Sequence, residues 1–274
     1  MVEETVRVDR DGMAAMVVGD WAQKKHEFLC AYINATRYAR KQFGYSSYID
    51  LFCGPGRVVE KHSNVFRDGG AVAAWKASCM GGTPFSKLFI GDLDAKSVSI
   101  CTRRLEELAA SVRSFVGPAW STVDELIAEL PTNGLHLAFL DPFNAQHLDF
   151  RIIKRLASRP NIDILVHFSV MDIHRNIDLE AAKQGTRLDV IAPGWRDAID
   201  LQKLPKGAFL SAFLDYWQTL VRDLARMKAA DQKPLIVNSN NGPLYRLILL
   251  SRHKLAEKIW NDVGRADKAQ KNLF

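Results

Sequence analysis

Residues 48–57 read YIDLFCGPGR, a short apolar run that ends in an acid and is followed by two glycines around a proline. Glycine permits tight turns and close backbone approach, so the stretch is either a cofactor loop at a strand end or a plain chain reversal. Its surroundings decide. The run YSSYIDLF reads as a strand, and KLFIGD, VRSFVG, LHLAFLD and IDILVHFSV are four more apolar runs. Helical patterns separate them: GGAVAAWKASCM, AKSVSICTRRLEELAAS, STVDELIAEL with Ser121 or Thr122 as N-cap, and FRIIKRLAS. Five apolar strands alternating with helices predict βαβ units and a parallel sheet buried on both faces.

The two ends of the chain read differently. Asp20 is placed to cap a helix from Trp21, with Phe28, Leu29, Tyr32, Thr36, Ala39 and Phe43 on one stripe. Lys24, Lys25, Arg37, Arg40 and Lys41 fill much of the rest of that helix, as a solvated face or a phosphate-binding one. Near the other end, AFLSAFLDYWQTLVRDLARM reads as an amphipathic helix. After it, KPLIVNS and PLYRLILLSR flank Asn241–Gly242, a hairpin signal for two antiparallel strands, and HKLAEKIWNDV closes the chain as a helix. Five parallel strands followed by an antiparallel pair resemble the element order of the class I methyltransferase fold. The expectation is one domain over residues 1–274: an α/β, doubly wound, mostly parallel seven-stranded Rossmann-like sheet with an antiparallel C-terminal hairpin. Residues 1–45 are expected as a helical extension and 171–230 as a helical or loop insertion, with 171–205 lacking clear periodicity.

Composition narrows the functional classes. Hydrophobic residues are 47% and charged residues 25% of 274, the profile of an ordinary globular protein. No apolar run approaches the roughly 20 residues that cross a bilayer, and the N-terminus lacks an apolar signal core, so the cytoplasm is the expected compartment. The net charge of +6 is compatible with nucleic-acid contact without requiring it. Cys30, Cys53, Cys79 and Cys101 form no CxxC pair, so they read as buried reduced thiols rather than a zinc or redox motif. His136, His147, His167 and His253 read as ordinary structural histidines. No metal-ligand set and no Ser/His/Asp arrangement is evident.

The chemistry is expected where the strands end. Doubly wound sheets bind ligands beyond the carboxyl ends of their strands, where strand order reverses. Asp50 precedes the loop of Phe52, Gly54, Pro55 and Gly56, and could meet the amine of an amino-acid tail. In FIGDLDAKSV, Asp92 is placed for ribose hydroxyls, Leu93 follows it, and Asp94 is placed to cap the next helix. In LAFLDPFN, Asp141, Pro142 and Phe143 resemble the loop of enzymes that methylate exocyclic amines, with one proline fewer; an Asp-Pro turn beside a core phenylalanine explains them equally well. Arg175 and Asn176, after the fifth strand, fall on the same rim as substrate or partner contacts.

Taken together, the opening helix, YIDLFCGPGR, LAFLDPFN, DILVHFSVMDIHRN, Trp195 and LYRLILLSRHKLAEKIW resemble the three-Cys-motif partner protein family over residues 20–262. That resemblance implies a methyltransferase-like fold and an S-adenosylmethionine pocket at Asp50, Gly54, Gly56, Asp92 and Asp141. It also implies association with a radical-enzyme-like protein bearing three cysteines. Two departures stand out. DGGAV replaces the expected GSP-like turn, and Gly117-Pro118-Ala119-Trp120 lacks the acid that would meet an adenine amine. Two functions follow: an S-adenosylmethionine-dependent methyltransferase acting on nucleic acid or a nucleotide-like substrate, or an inactive binding module of the same shape working with a partner. Another nucleotide-dependent enzyme on the same sheet has neither a P-loop nor a triad to support it. Both favoured readings require Asp50, Asp92 and Asp141 to converge on one crevice.

Overall fold

A computed structural model describes residues 5–19, 21–205 and 207–271; the side chains of residues 175, 176, 178, 179, 181 and 268–271 lie outside the described set. Two strands come first, β1 (Val6–Val8) and β2 (Ala14–Val18), then helices α1 (Ala22–Ala35) and α2 (Arg37–Phe43). Next come β3 (Ser46–Asp50), β4 (Arg57–Glu60), β5 (Phe66–Asp68), α3 (Gly70–Met80), β6 (Lys87–Asp92) and α4 (Ala95–Glu106). The alternation continues through β7 (Val112–Val116), α5 (Ala119–Glu129), β8 (Leu135–Leu140), α6 (Phe150–Leu156) and β9 (Ile162–Ser169). Helices α7 (Val170–Ala181), α8 (Arg187–Ile191), α9 (Trp195–Ala198) and α10 (Phe209–Leu224) follow. The last elements are β10 (Lys228–Ala229), β11 (Leu235–Val237), β12 (Pro243–Ser251) and α11 (Lys254–Lys271).

The main sheet runs β7-β6-β3-β8-β9-β12-β10, with β11 also paired to β12. Strands β7, β6, β3, β8 and β9 are mutually parallel, and β12 lies antiparallel to β9. The order reverses at β3, which has β6 on one side and β8 on the other. This is a doubly wound, Rossmann-like α/β fold. The expected count of seven strands becomes eight among the described residues, because two short pieces, β10 and β11, share one edge of β12. Between them the chain is drawn aside: the Gln232 carbonyl accepts the Trp260 indole N–H at 2.8 Å, and its amide donates to Asn261 at 3.0 Å.

Apolar side chains fill both faces. Phe28, Tyr32, Trp75 and Trp260 belong to the core on the α1, α3 and α11 side; Phe168, Trp195, Phe213 and Trp217 belong to the core on the α5, α6 and α10 side. Thr36 divides the expected first helix in two, its hydroxyl donating to the Tyr32 carbonyl at 2.8 Å. The proposed cap Asp20 lies outside the described residues, and α1 begins one residue later than expected, at Ala22. No side chain caps α5: Pro118 occupies that position in place of Ser121 or Thr122. Among the cysteines, Cys53 and Cys101 are buried whereas Cys79 is exposed. No helix among the described residues is long and apolar enough to cross a membrane.

One region departs from expectation. Residues 6–18 are strands rather than helix; they join β4 and β5 in a second sheet of order β1-β2-β4-β5. That hairpin of β4 and β5 is what delays α3 after the glycine turn. Arg104 on α4 locks the second sheet to the turn, its buried guanidinium donating to Asp11 at 2.8 Å and to the Ala14 and Pro55 carbonyls at 2.7 Å. Residues 170–198 are three helices packed into the core. Trp195 is fully buried and donates to Asp189 at 2.8 Å, and Asp189 also closes a capping box with Thr186.

The start of α3 presses on the glycine turn. A Cβ at Gly69 would sit 2.8 Å from the Gly56 carbonyl carbon, a backbone atom that cannot step aside alone. Gly69→Ala is therefore expected to cost roughly 1–3 kcal/mol of unfolding free energy in urea titration, an overpacking penalty.

Candidate functional site

The loops after β3, β6, β7 and β8 open on one cleft of about 990 Å³, large enough for a cofactor and an acceptor together. Asp50, Phe52, Gly54, Pro55 and Gly56 line it from the first loop, and Asp92 and Leu93 from the second. Gly117 and Pro118 line it from the third, and Asp141, Pro142 and Phe143 from the fourth. The three strand-end acids thus share one crevice. The side chains of Arg175 and Asn176 lie outside the described residues; their backbone forms part of α7.

Asp92 joins two of these loops. Its Oδ2 accepts the Gly54 amide at 2.9 Å and its Oδ1 accepts the Asp94 amide at 3.1 Å. Each carboxylate oxygen has a further lone pair for a ligand hydroxyl. Asp94 caps α4, accepting the Lys96 amide at 3.2 Å and the Ser97 amide at 3.0 Å. Gly54 takes φ +52° and Gly56 φ +73°, left-handed conformations that favour glycine. A Cβ on Gly54 would meet only the flexible end of Met16, at 3.3 Å, so a ligand can approach this backbone closely. The loop offers few free donors. Phe52 N donates to Asp50, Cys53 N to Gly91 O, Gly54 N to Asp92 and Gly56 N to Cys53 O.

Asp50 is buried beneath the loop, accepting the Phe52 amide at 3.0 Å and the Tyr48 hydroxyl at 3.4 Å. Burial drives its pKa up to about 7, aided by Asp141 and Asp92 against the pull of the Phe52 amide. Asp141 is different. Its Oδ2 is ion-paired with Lys25 Nζ at 2.6 Å, and its Oδ1 lies 3.6 Å from His167 Nδ1. Burial alone would raise its pKa; Lys25 and His167 outweigh that and hold the carboxyl below its ordinary value. Burial pushes both His26 and His167 down to about 4, so each ring is neutral at pH 7. Phe143 is 83% exposed, which removes the reading of it as a core side chain. Across the cleft, Trp120 is half exposed with the Arg151 guanidinium 4.5 Å from its ring centre.

Among the lining residues that escape a reading of the sequence alone are Lys25, His26, His167 and Tyr245. One signal for His167 existed. The β8–β9 register pairs Phe139 with Leu165 and Leu140 with Val166, so the next step sets Asp141 abreast of His167. Lys25 carried no signal, because its approach depends on how α1 crosses the sheet.

No family model and no curated protein matches the chain. It is similar to several solved structures. The methyltransferase domain of a bacterial CtHen1-CN aligns at 11% identity over 81% of this chain and 97% of that one, with a TM-score of 0.42. A cofactor-bound protein from MTB aligns at 14% identity over 84% and 81%, with a TM-score of 0.45. An rRNA methylase from Streptococcus thermophilus aligns at 14% identity over 85% and 97%, with a TM-score of 0.39.

Asp50 gives this site a pH signature. Its folded pKa of about 7 exceeds its ordinary 3.8, so stability from this group is present at low pH and lost as pH rises toward 7. His26 and His167, held neutral by burial, act in the opposite sense as pH climbs from about 4 to 6.5. Comparison with Asp50→Asn isolates the acid. The variant is expected to gain on the parent progressively between pH 4 and 7, by up to about 4 kcal/mol, in denaturation series across pH.

Proposed function

We propose that the chain is an S-adenosylmethionine-dependent methyltransferase whose acceptor is nucleic acid or a nucleotide-like molecule. One observation carries the reading: four successive strand-end loops, with an acid at the ends of β3, β6 and β8, surround a single cleft at the switch point of a doubly wound sheet. The residues suit the cofactor. Asp92 would hold the ribose hydroxyls, Leu93, 64% exposed, and Pro118 would flank the adenine, and Gly54 would admit the amino-acid tail beside Asp50. Ala119 and Trp120, in the first turn of α5, carry amides without an intrahelical partner, which can serve adenine nitrogens in place of the missing acid.

When bound, S-adenosylmethionine supplies an electrophilic methyl group. The chain's own part is to position and desolvate. Phe143 offers a flat, exposed face for a planar acceptor, Trp120 and Arg151 a second one, and the net charge of +6 favours a polyanion. Asp141, paired with Lys25 through one oxygen, sets the charge of the acceptor half. Arg175 and Asn176 are retained as substrate or partner contacts on sequence grounds, and the resemblance to the three-Cys-motif partner family supports a partner protein.

A second reading has its own support. The internally satisfied amides of residues 52–56 leave little to grip a carboxylate, as suits a binding module that does not turn over.

Titration calorimetry decides whether the cofactor binds. S-adenosylmethionine and S-adenosylhomocysteine are expected to bind in the micromolar range, with Asp92→Asn weakening both at least about tenfold. Absence of heat at millimolar ligand removes the cofactor reading. Robust turnover by the purified chain removes the binding-module reading.

A further inference from the structure

His167 is out of place in β9. The strand is otherwise apolar from Ile164 to Phe168, and the imidazole Nδ1 is buried with no hydrogen-bond partner. The atom it faces, Asp141 Oδ1 at 3.6 Å, is also buried and also unpartnered. Each of these two orphans is what the other lacks. A carboxylate can only accept, so the neutral ring satisfies it by carrying its proton on Nδ1 and its lone pair on Nε2. The separation is slightly beyond a hydrogen bond, as such pairs often are before a ligand closes the site.

The surroundings fix this arrangement. Lys25 Nζ holds the other oxygen of Asp141 at 2.6 Å, which keeps the carboxyl ionised. The Tyr245 ring lies 4.1 Å from the imidazole at 62°, and its hydroxyl is tethered to the Trp21 carbonyl at 3.1 Å. The groups facing the ring are therefore Lys25 from α1, Asp141 from the end of β8 and Tyr245 from β12; His26 lines the same cleft. Among the described residues Nε2 makes no hydrogen bond, and it is not sealed from solvent, so this edge of the ring keeps access to the cleft that His167 lines.

We infer that His167 Nε2 takes the proton released on methyl transfer, with Asp141 fixing the Nδ1–H tautomer and Lys25 holding Asp141 ionised. The inference rests on the methyltransferase reading and sharpens it: the acceptor atom is a nitrogen or oxygen bearing a hydrogen. The balance is simple. The acceptor atom gains a bond to the methyl carbon, the carbon–sulfur bond breaks with its pair left on sulfur, and the acceptor's proton passes to Nε2 and on to water. No oxidant or reductant is involved. A thioether or tertiary amine acceptor would give the base nothing to do. His167 touches the acceptor and is catalytic; Asp141 and Lys25 are positioning residues.

The test is imidazole ¹H–¹⁵N NMR on the full ¹⁵N-labelled chain, with His167 assigned by His167→Gln. The free chain is expected to show the Nδ1–H tautomer at His167 and no protonation at pH 7. Lys25→Met is expected to raise the pH at which His167 titrates by about one unit or more, since the ammonium that opposes a second positive charge on the ring is gone. The cationic S-adenosylmethionine is expected to depress that titration relative to its neutral product S-adenosylhomocysteine, by about half a unit or more, as a like charge beside the ring requires. A histidine remote from the transferring methyl group would respond equally to both ligands. An Nε2–H tautomer, an unmoved titration in Lys25→Met, or equal titration in the two complexes overturns the base assignment alone. Failure of either ligand to bind overturns the cofactor reading and the base assignment with it.

Discussion

Parallel pairing of β3 with both β6 and β8 is the constraint on which the site depends. Parallel strands all end on the same edge of the sheet, so whatever follows each strand is delivered to one side of the molecule. The strands are buried on both faces, which confines polar chemistry to their ends. Asp50, Asp92 and Asp141 are each at or just beyond such an end. The hydrogen bond from Gly54 N to Asp92 then ties the first loop to the second, making one rim of two turns.

The cleft manages its charge by burial and pairing. Asp50 is shielded and about half protonated at pH 7, Asp141 is matched by Lys25, and the two histidines are uncharged. An ion pair as enclosed as Lys25–Asp141 contributes little net stability, because desolvating both groups offsets their attraction. Its persistence beside an unpartnered imidazole fits a functional role better than a structural one. The second sheet serves the same cleft from above. Met16, Val17 and Val18 on β2 line it, and Arg104 fastens that sheet to the glycine turn.

Much of this architecture was legible in the amino-acid order. Five apolar runs with acids or glycines behind them are local patterns, and βαβ handedness does the rest. Asp92 could be placed on the rim by the same logic, whereas Phe143 read equally well as a core side chain and only its exposure in the fold decides. What was hidden depends on distance. Strand β2 pairs with β4, which is far along the chain and short, so no periodicity of its own announces it. The split of the edge strand depends on Trp260 and Asn261 capturing Gln232, a contact across 28 residues. Lys25 looked like one base among several on a helix; only the crossing of α1 over the strand ends sends it to Asp141 while its neighbour Lys24 pairs with Glu27 and Asp267.

The account stands or falls on where a cofactor sits. A crystal structure of the chain grown with S-adenosylhomocysteine measures this directly. The ribose hydroxyls are expected on the Asp92 carboxylate, the adenine between Leu93 and Pro118, and the sulfur turned toward Asp141 and His167. Ligand bound anywhere else, or a cleft closed over by side chains in saturating ligand, contradicts it.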